Sequence, residues 1–170
     1  MIIQIDTING IEPIYKEYLA YMRQFFDIVH YDSWCESAMK NLQRYSNSDD
    51  RHIYILKESN TIIGFALVNK HLRFNSDGFG VSEFYIQKGY QKKGYGRKLA
   101  EHLFEAFKGN WEIAVSLTNT SALLFWEQVV SVYAKGEYVK RKKASFNGYG
   151  FVFNSESGSV NSQGPGVIPT

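Results

Sequence analysis

The sequence predicts an α/β (α+β) chain built as one central sheet with helices on both faces. Three observations carry this reading. Segments with the two-residue period of strands are interleaved with segments of helical period, and that mixed order suits a layered sheet-and-helix arrangement. "WEIAVSL" at 111–117 is apolar almost throughout, the pattern of a strand covered on both sides. With 170 residues, 44% of them hydrophobic and 21% charged, the chain can bury a single sizeable core and has an ordinary globular composition.

The elements follow in order. "MIIQID" is a short strand with β-branched residues at 2, 3 and 5. From Ile11 to Phe26 the apolar positions recur at helical spacing, with Pro13 suited to a first turn. A second helix is expected from Ser33 to about Tyr45, because "SWCE" places Glu36 three residues after Ser33 in a capping box. "HIYILKESNTIIGFALV" reads as two strands around a "KESN" turn, and "FGVSEFYI" follows the turn "FNSDG" as another strand. "YGRKLAEHLFEAF" carries an apolar face through Leu99, Ala100, Leu103, Phe104 and Phe107. Asn119 is placed to cap a helix over "NTSALLFWEQVV". Two further strand-like runs lie between Tyr138 and Phe153, separated by a basic cluster and "FNGYG". Residues 1–154 are read as one domain, and 155–170, rich in Gly, Ser and Pro, as a flexible tail.

Composition excludes several classes of function. A net charge of +2 is too weak to imply nucleic acid or a membrane surface as a partner. Cys35 stands alone, so no internal disulfide forms and a reducing compartment is expected. The N-terminus lacks a basic n-region and meets an acid at position 6, and no apolar run has the length of a membrane span, so a cytoplasmic location is expected. His71 and His102 lack metal-ligand spacing to each other or to Cys35, so no metal is expected.

The chemistry concentrates in "GYQKKGYGRK" at 89–98, where glycines and cations crowd together directly behind a strand. A P-loop fails, because Tyr95 and Gly96 stand where Lys and Ser/Thr are required after Gly94. A dinucleotide fingerprint starting at Gly94 fails at Leu99. The pattern Q/R-x-x-G-x-G/A is met by Gln91, Gly94 and Gly96, with a strand before and a helix after. At such a turn the free amides of the helix's first turn point outward at the positive end of the macrodipole, a ready site for a pyrophosphate. Gly94 and Gly96 let phosphates approach the backbone, and Lys92, Lys93 and Arg97 add charge.

With "EFYIQKGYQKKGYGRKLAEHLF" and "NTSALLFWEQV" the chain resembles the GNAT family of N-acetyltransferases. The second segment is similar to that family's N-x-x-A-x-x-F-[YW]-E pattern through Asn119, Ala122, Phe125, Trp126 and Glu127. The resemblance implies a mixed, mostly antiparallel sheet of about six to seven strands and an acyl-CoA acyltransferase fold. It implies acetyl-CoA as cosubstrate, bound by the run Gln91, Lys92, Lys93, Gly94, Tyr95, Gly96 and Arg97. It further implies pantetheine pairing along the main chain of Tyr85, Ile86 and Gln87, and cofactor contacts from Asn119, Phe125 and Trp126. The implied reaction is direct attack by a neutral amine of a small molecule or peptide, and a homodimer is compatible with the resemblance.

Glu83, eight residues before Gln91, stands where many family members carry an acid; it is either the route for the amine's proton or a structural strand acid. Trp126 occupies the position of the family's usual tyrosine general acid, and an indole N–H is not an acid in this pH range. Tyr133 is the nearest substitute in sequence, Tyr138 and Tyr85 are further candidates, and water is the alternative. A CoA-binding module without catalysis is therefore a rival reading, and an RNA- or ribosome-associated binder a weaker one. "VVSVYAKG" departs from the family's Gly-Phe after that helix. "KRKK" at 140–143 reads as a solvated strand edge or loop, and His30 or His52 as candidates for the acceptor pocket. The aromatic side chains of the first two helices fill the core or wall the acceptor site.

Overall fold

A computed structural model describes residues 1–156. Its strands are β1 (Ile2–Ile5), β2 (Arg51–Glu58), β3 (Thr61–Asn69), β4 (Phe79–Ile86), β5 (Asn110–Ser116), β6 (Tyr138–Lys143) and β7 (Phe146–Asn154). The helices are α1 (Glu12–Met22), α2 (Tyr31–Gln43), α3 (Tyr95–Ala106) and α4 (Thr120–Tyr133), with a short 3₁₀ turn at Lys88–Tyr90. Among the described residues the strands form one sheet in the order β1-β2-β3-β4-β5-β7-β6. Every neighbouring pair is antiparallel except β4 and β5.

Local chemistry explains most of this. The β2–β3 hairpin turns through Ser59 and Asn60, both with positive φ (46° and 68°), the backbone twist that a tight hairpin between right-twisted strands requires. Asn119 caps α4 as expected, its Oδ1 accepting from the Ala122 amide at 3.0 Å. The two faces of the sheet carry separate cores. Leu99, Leu103 and Phe104 of α3 and Val129 and Val130 of α4 pack on one side, against Trp111 and Phe151. Ile14, Tyr15, Tyr18 and Leu19 of α1 and Leu42 of α2 pack on the other, against Phe65 and Tyr85.

Three expectations are corrected. The first helix stops at Met22, with turns following to Phe26. The second begins at Tyr31, so the capping box does not form: Ser33 is already inside, and its carbonyl accepts the Ser37 hydroxyl at 2.9 Å. Arg23 lies over the Tyr31 ring at 4.3 Å and Tyr31 packs on Trp34, so ring contacts fix the earlier start. The basic cluster and "FNGYG" are themselves strand, on β6 and β7. Gly148 and Gly150 are tolerated mid-strand because the rings of Phe146 and Phe74 lie where a Cβ would point. β6 is a sheet edge, which suits its exposed cations.

Ser155 is buried, its amide bonded to the Gly109 carbonyl at 2.9 Å. The rest of the expected tail, 157–170, lies outside the described residues.

Candidate functional site

The site grows out of a fault in the sheet. β4 and β5 are registered at only two positions, Phe79 with Trp111 and Gly80 with Glu112. Next to this point the β3–β4 register slips: Val68 opposes Val81 and Leu67 opposes Glu83, which leaves Ser82 as an extra residue. Such a bulge bends its strand, and here it turns β4 away from β5. It also reverses the side-chain alternation. Phe79 and Val81 pack with the α3–α4 core, but so do Phe84 and Ile86, while Tyr85 belongs to the α1–α2 core. Glu83 is thereby turned towards α1 and into the opening.

The opening encloses about 630 Å³, with Tyr18 and Met22 of α1 on one wall and Asn119 and Trp126 of α4 on the other. Glu83 lines it, half-buried as a residue but with Oε2 shielded from solvent. Its Oε1 accepts the Tyr15 hydroxyl at 3.1 Å, and its Oε2 has no hydrogen-bond partner. Burial pushes the carboxyl up to about 7, partly offset by the Tyr15 hydrogen bond. A carboxyl that exchanges its proton near neutrality, with one oxygen unpaired in a cavity, fits a proton acceptor. The same burial, with Glu83 alongside, drives the Tyr15 and Tyr18 phenols upward, so both stay neutral.

At the far end of β4 the chain makes the expected bend. Gly94 holds φ +83°, left-handed, with open space around it, and serves as the N-cap of α3 without any side-chain cap. The first intrahelical bond here runs from the Lys98 amide to the Gly94 carbonyl, so among the described residues the amides of Tyr95, Gly96 and Arg97 have no acceptor. Gly96 plays a different part from the one expected. A side chain there would meet the Phe125 ring at 3.1 Å, so this glycine lets α3 seat on α4.

Other expected contacts are placed as follows. Gln91 Nε2 donates to the Ile86 carbonyl at 2.8 Å, so its side chain braces the bend. The Gln87 amide is donated to Ile63 and Tyr85 is registered with Phe65, which leaves Ile86 alone of that trio with its amide facing away from β3. Lys93 lies over Tyr90, Arg97 pairs with Glu101, and Tyr95 hydrogen-bonds Glu58, while Lys92 takes a positive φ of 59° in the bend. Asn119 and Trp126 line the cavity, and Trp126 meets Phe84 edge-on at 4.8 Å.

Tyr133 is not brought to the site. It lies seven residues along α4 from cavity-lining Trp126, roughly 10 Å by helical rise, and donates its hydroxyl to Glu105 at 2.6 Å. Tyr85 is likewise engaged, with Glu17 at 2.8 Å. His30 precedes α2 and His52 packs on Phe107; it is His71 that reaches the cavity, beside Arg51. Among the described residues no group of His, Cys, Asp and Glu could hold a metal, and no helix is long and apolar enough to cross a membrane.

Sequence reasoning missed three supporting residues. Glu17 of α1 grips the end of β4, accepting from both Tyr85 and the Gln87 side chain, the latter at 2.9 Å. Tyr15 orients Glu83. Glu112, buried on β5, accepts the amides of Arg73, Phe74 and Asn75 at 2.6, 2.8 and 2.8 Å and staples the 70–78 loop to the sheet.

A mixed sheet that parts between two parallel strands, with an amide-lined helix start beside the parting, is the acyl-CoA acyltransferase fold. Residues 11–130 match the family model for the acetyltransferase (GNAT) family, and the chain belongs to that family. Among solved structures it is similar to an acetyltransferase from Thermus thermophilus, at 15% identity and TM-score 0.66, covering 91% of this chain and 97% of that one. It is also similar to the PaiA N-acetyltransferase from Thermoplasma acidophilum solved with coenzyme A, at 14% identity and TM-score 0.63, covering 91% and 99%. A GNAT-family acetyltransferase from Staphylococcus aureus gives 13% identity and TM-score 0.61, covering 91% and 99%. No curated protein compared with the chain matches it.

Proposed function

We propose that the protein transfers an acetyl group from acetyl-CoA directly to a primary amine of a small molecule or peptide. The observation that carries this is the alignment of two features on one strand. The unpartnered Oε2 of Glu83 and the Ile86 amide, which β3 does not take up, both belong to the stretch of β4 that the bulge frees from β5. Glu83 and Ile86 are three residues apart, roughly 10 Å of strand, so an extended ligand along that edge reaches both. The coenzyme A in the Thermoplasma relative supports the donor.

The residues divide the work. The amides of Tyr95, Gly96 and Arg97, at the positive end of α3, bind the pyrophosphate, with Lys92 and Lys93 adding charge. The Ile86 amide pairs with the pantetheine arm as a neighbouring strand would. Acetyl-CoA, when bound, supplies the activated thioester. Glu83 Oε2 takes the proton of the incoming ammonium, and Tyr15 keeps the carboxylate aimed while that happens. Cys35 lies on α2 outside the cavity, and the Ser82 hydroxyl is held by Tyr45 at 2.7 Å, so the arrangement favours transfer without an acyl-enzyme. With Tyr133 remote and Trp126 at the acid's position, the thiolate leaves unaided or takes its proton from water; a cysteine-like thiol near pKa ~8.5 tolerates that.

Calorimetric titration with CoA and acetyl-CoA, followed by an amine panel read by thiol release, tests the proposal. Saturable binding with thiol release is expected. Failure to bind CoA removes the reading, and binding with no turnover on any amine supports the non-catalytic module to which Trp126 points.

A further inference from the structure

The cavity that Glu83 lines also carries a cation that the proposed chemistry does not use. Arg73 lines the same cavity, on the loop between β3 and β4. Its backbone is fixed by the bond from its amide to Glu112, and its carbonyl accepts Lys143 Nζ at 2.9 Å. The next residue is held as firmly: Phe74 covers Gly150, and its carbonyl accepts from Arg141 at 3.4 Å. The Arg73 guanidinium lies over the Phe146 ring at 4.9 Å, which covers one face and leaves the N–H edge available.

Among the described residues no carboxylate pairs with that guanidinium. The neighbouring guanidinium of Arg51 differs, since it pairs with Asp50 at 3.2 Å. Among the described residues the two acids lining the cavity are accounted for, since Glu112 is consumed by backbone amides and Glu83 keeps a single unpaired, shielded oxygen. The cavity therefore presents one acceptor for an amine's proton and one preorganised fork for an anion.

Resting on the amine-acetylation reading above, we infer that the acceptor is a small amino acid-like compound whose carboxylate is bound by Arg73 while its amine faces Glu83. The fork geometry of an arginine matches a carboxylate in two parallel hydrogen bonds. Phe146, which positions the guanidinium, starts β7, and β7 is separated from β4 by β5 alone. Undistorted, two strand spacings are roughly 10 Å between backbones; the parting of β4 from β5 widens that, and side chains enter from both sides. That leaves room for an amine and a carboxylate a few bonds apart. A polyamine is disfavoured, because its second ammonium would face Arg73 with no carboxylate to neutralise either.

The test uses matched acceptors with the full chain and saturating acetyl-CoA: phenylalanine, its carboxamide and phenethylamine, and β-alanine beside its carboxamide and ethylamine. Kinetics of thiol release should favour the carboxylate of at least one set by about ten- to a hundredfold in kcat/KM, the worth of a charge-assisted pair. In Arg73→Gln that ratio should collapse towards one, and in Arg73→Lys fall part of the way, with CoA titration confirming a folded protein. Equal rates within each set, a preference for the uncharged members, or a preference surviving Arg73→Gln would overturn the inference. CoA binding without acetylation of any member also overturns it while leaving the donor site standing, whereas loss of CoA binding in the wild type removes the transferase reading itself.

Discussion

Replacing Glu83 by glutamine separates what this residue does for the reaction from what it costs the fold. Glutamine keeps the shape and an oxygen for Tyr15 but carries no titrating proton. In the wild type, burial raises the carboxyl from an ordinary 4.5 to about 7. The folded state thus holds the proton more tightly than the unfolded chain, so stability is full below pH 4.5 and declines as pH rises through about 7. Each pH unit in that window is worth about 1.4 kcal/mol, giving a penalty of up to about 3 kcal/mol above neutrality. Glu83→Gln should therefore unfold like the wild type at pH 4.5 and be more stable by up to about 3 kcal/mol at about pH 8, read from urea unfolding at both. Activity should move the other way. Wild-type kcat/KM should rise about tenfold per pH unit up to about pH 7, and the variant should lose that limb together with about a hundred- to ten-thousandfold of rate. Parallel stability curves, or a retained limb in the variant, would refute the assignment of Glu83 as a buried base.

Tyr133→Phe should keep kcat/KM within about twofold and lower stability by at most about 1 kcal/mol, since only the bond to Glu105 is lost; steady-state kinetics and thermal unfolding check both. Gly94→Ala forces a side chain into left-handed backbone at a cost of about 1–2 kcal/mol, and should weaken CoA binding in calorimetry by tilting the amides that follow. Glu112→Gln replaces a carboxylate that accepts from three amides and should destabilise the fold by about 2–4 kcal/mol in chemical denaturation, raising acceptor KM as the loop loosens.

What the sequence disclosed was what local chemistry writes. The Ser59-Asn60 turn, the Asn119 cap and the glycine bend at Gly94 are each decided within a few residues, and each is found where its pattern says. The resemblance carried by "EFYIQKGYQKKGYGRKLAEHLF" and "NTSALLFWEQV" extended that to the mixed, mostly antiparallel sheet and the family, though not to the strand order. Long-range decisions stayed hidden. A single extra residue at Ser82 determines which face Glu83 takes, and nothing in "VSEFYI" announces it because serine and glutamate are both plausible on either side. Gln91 reads as a ligand contact, but its amide finds the Ile86 carbonyl, a partner fixed only once the bend closes. Tyr133 shares a helix face with Trp126, yet the axial rise between them, roughly 10 Å, takes its hydroxyl to Glu105 instead of the cavity. Glu112 gave no signal, because its donors come from a loop nearly forty positions earlier.

The two-rung junction of β4 and β5 has a mechanical corollary. The sheet amounts to a pair of plates, one of β1 to β4 and one of β5, β7 and β6, riveted at one end and free at the other. The α3–α4 core ties the plates together on one face, so a molecule lying in the seam adds stiffness where that core leaves off.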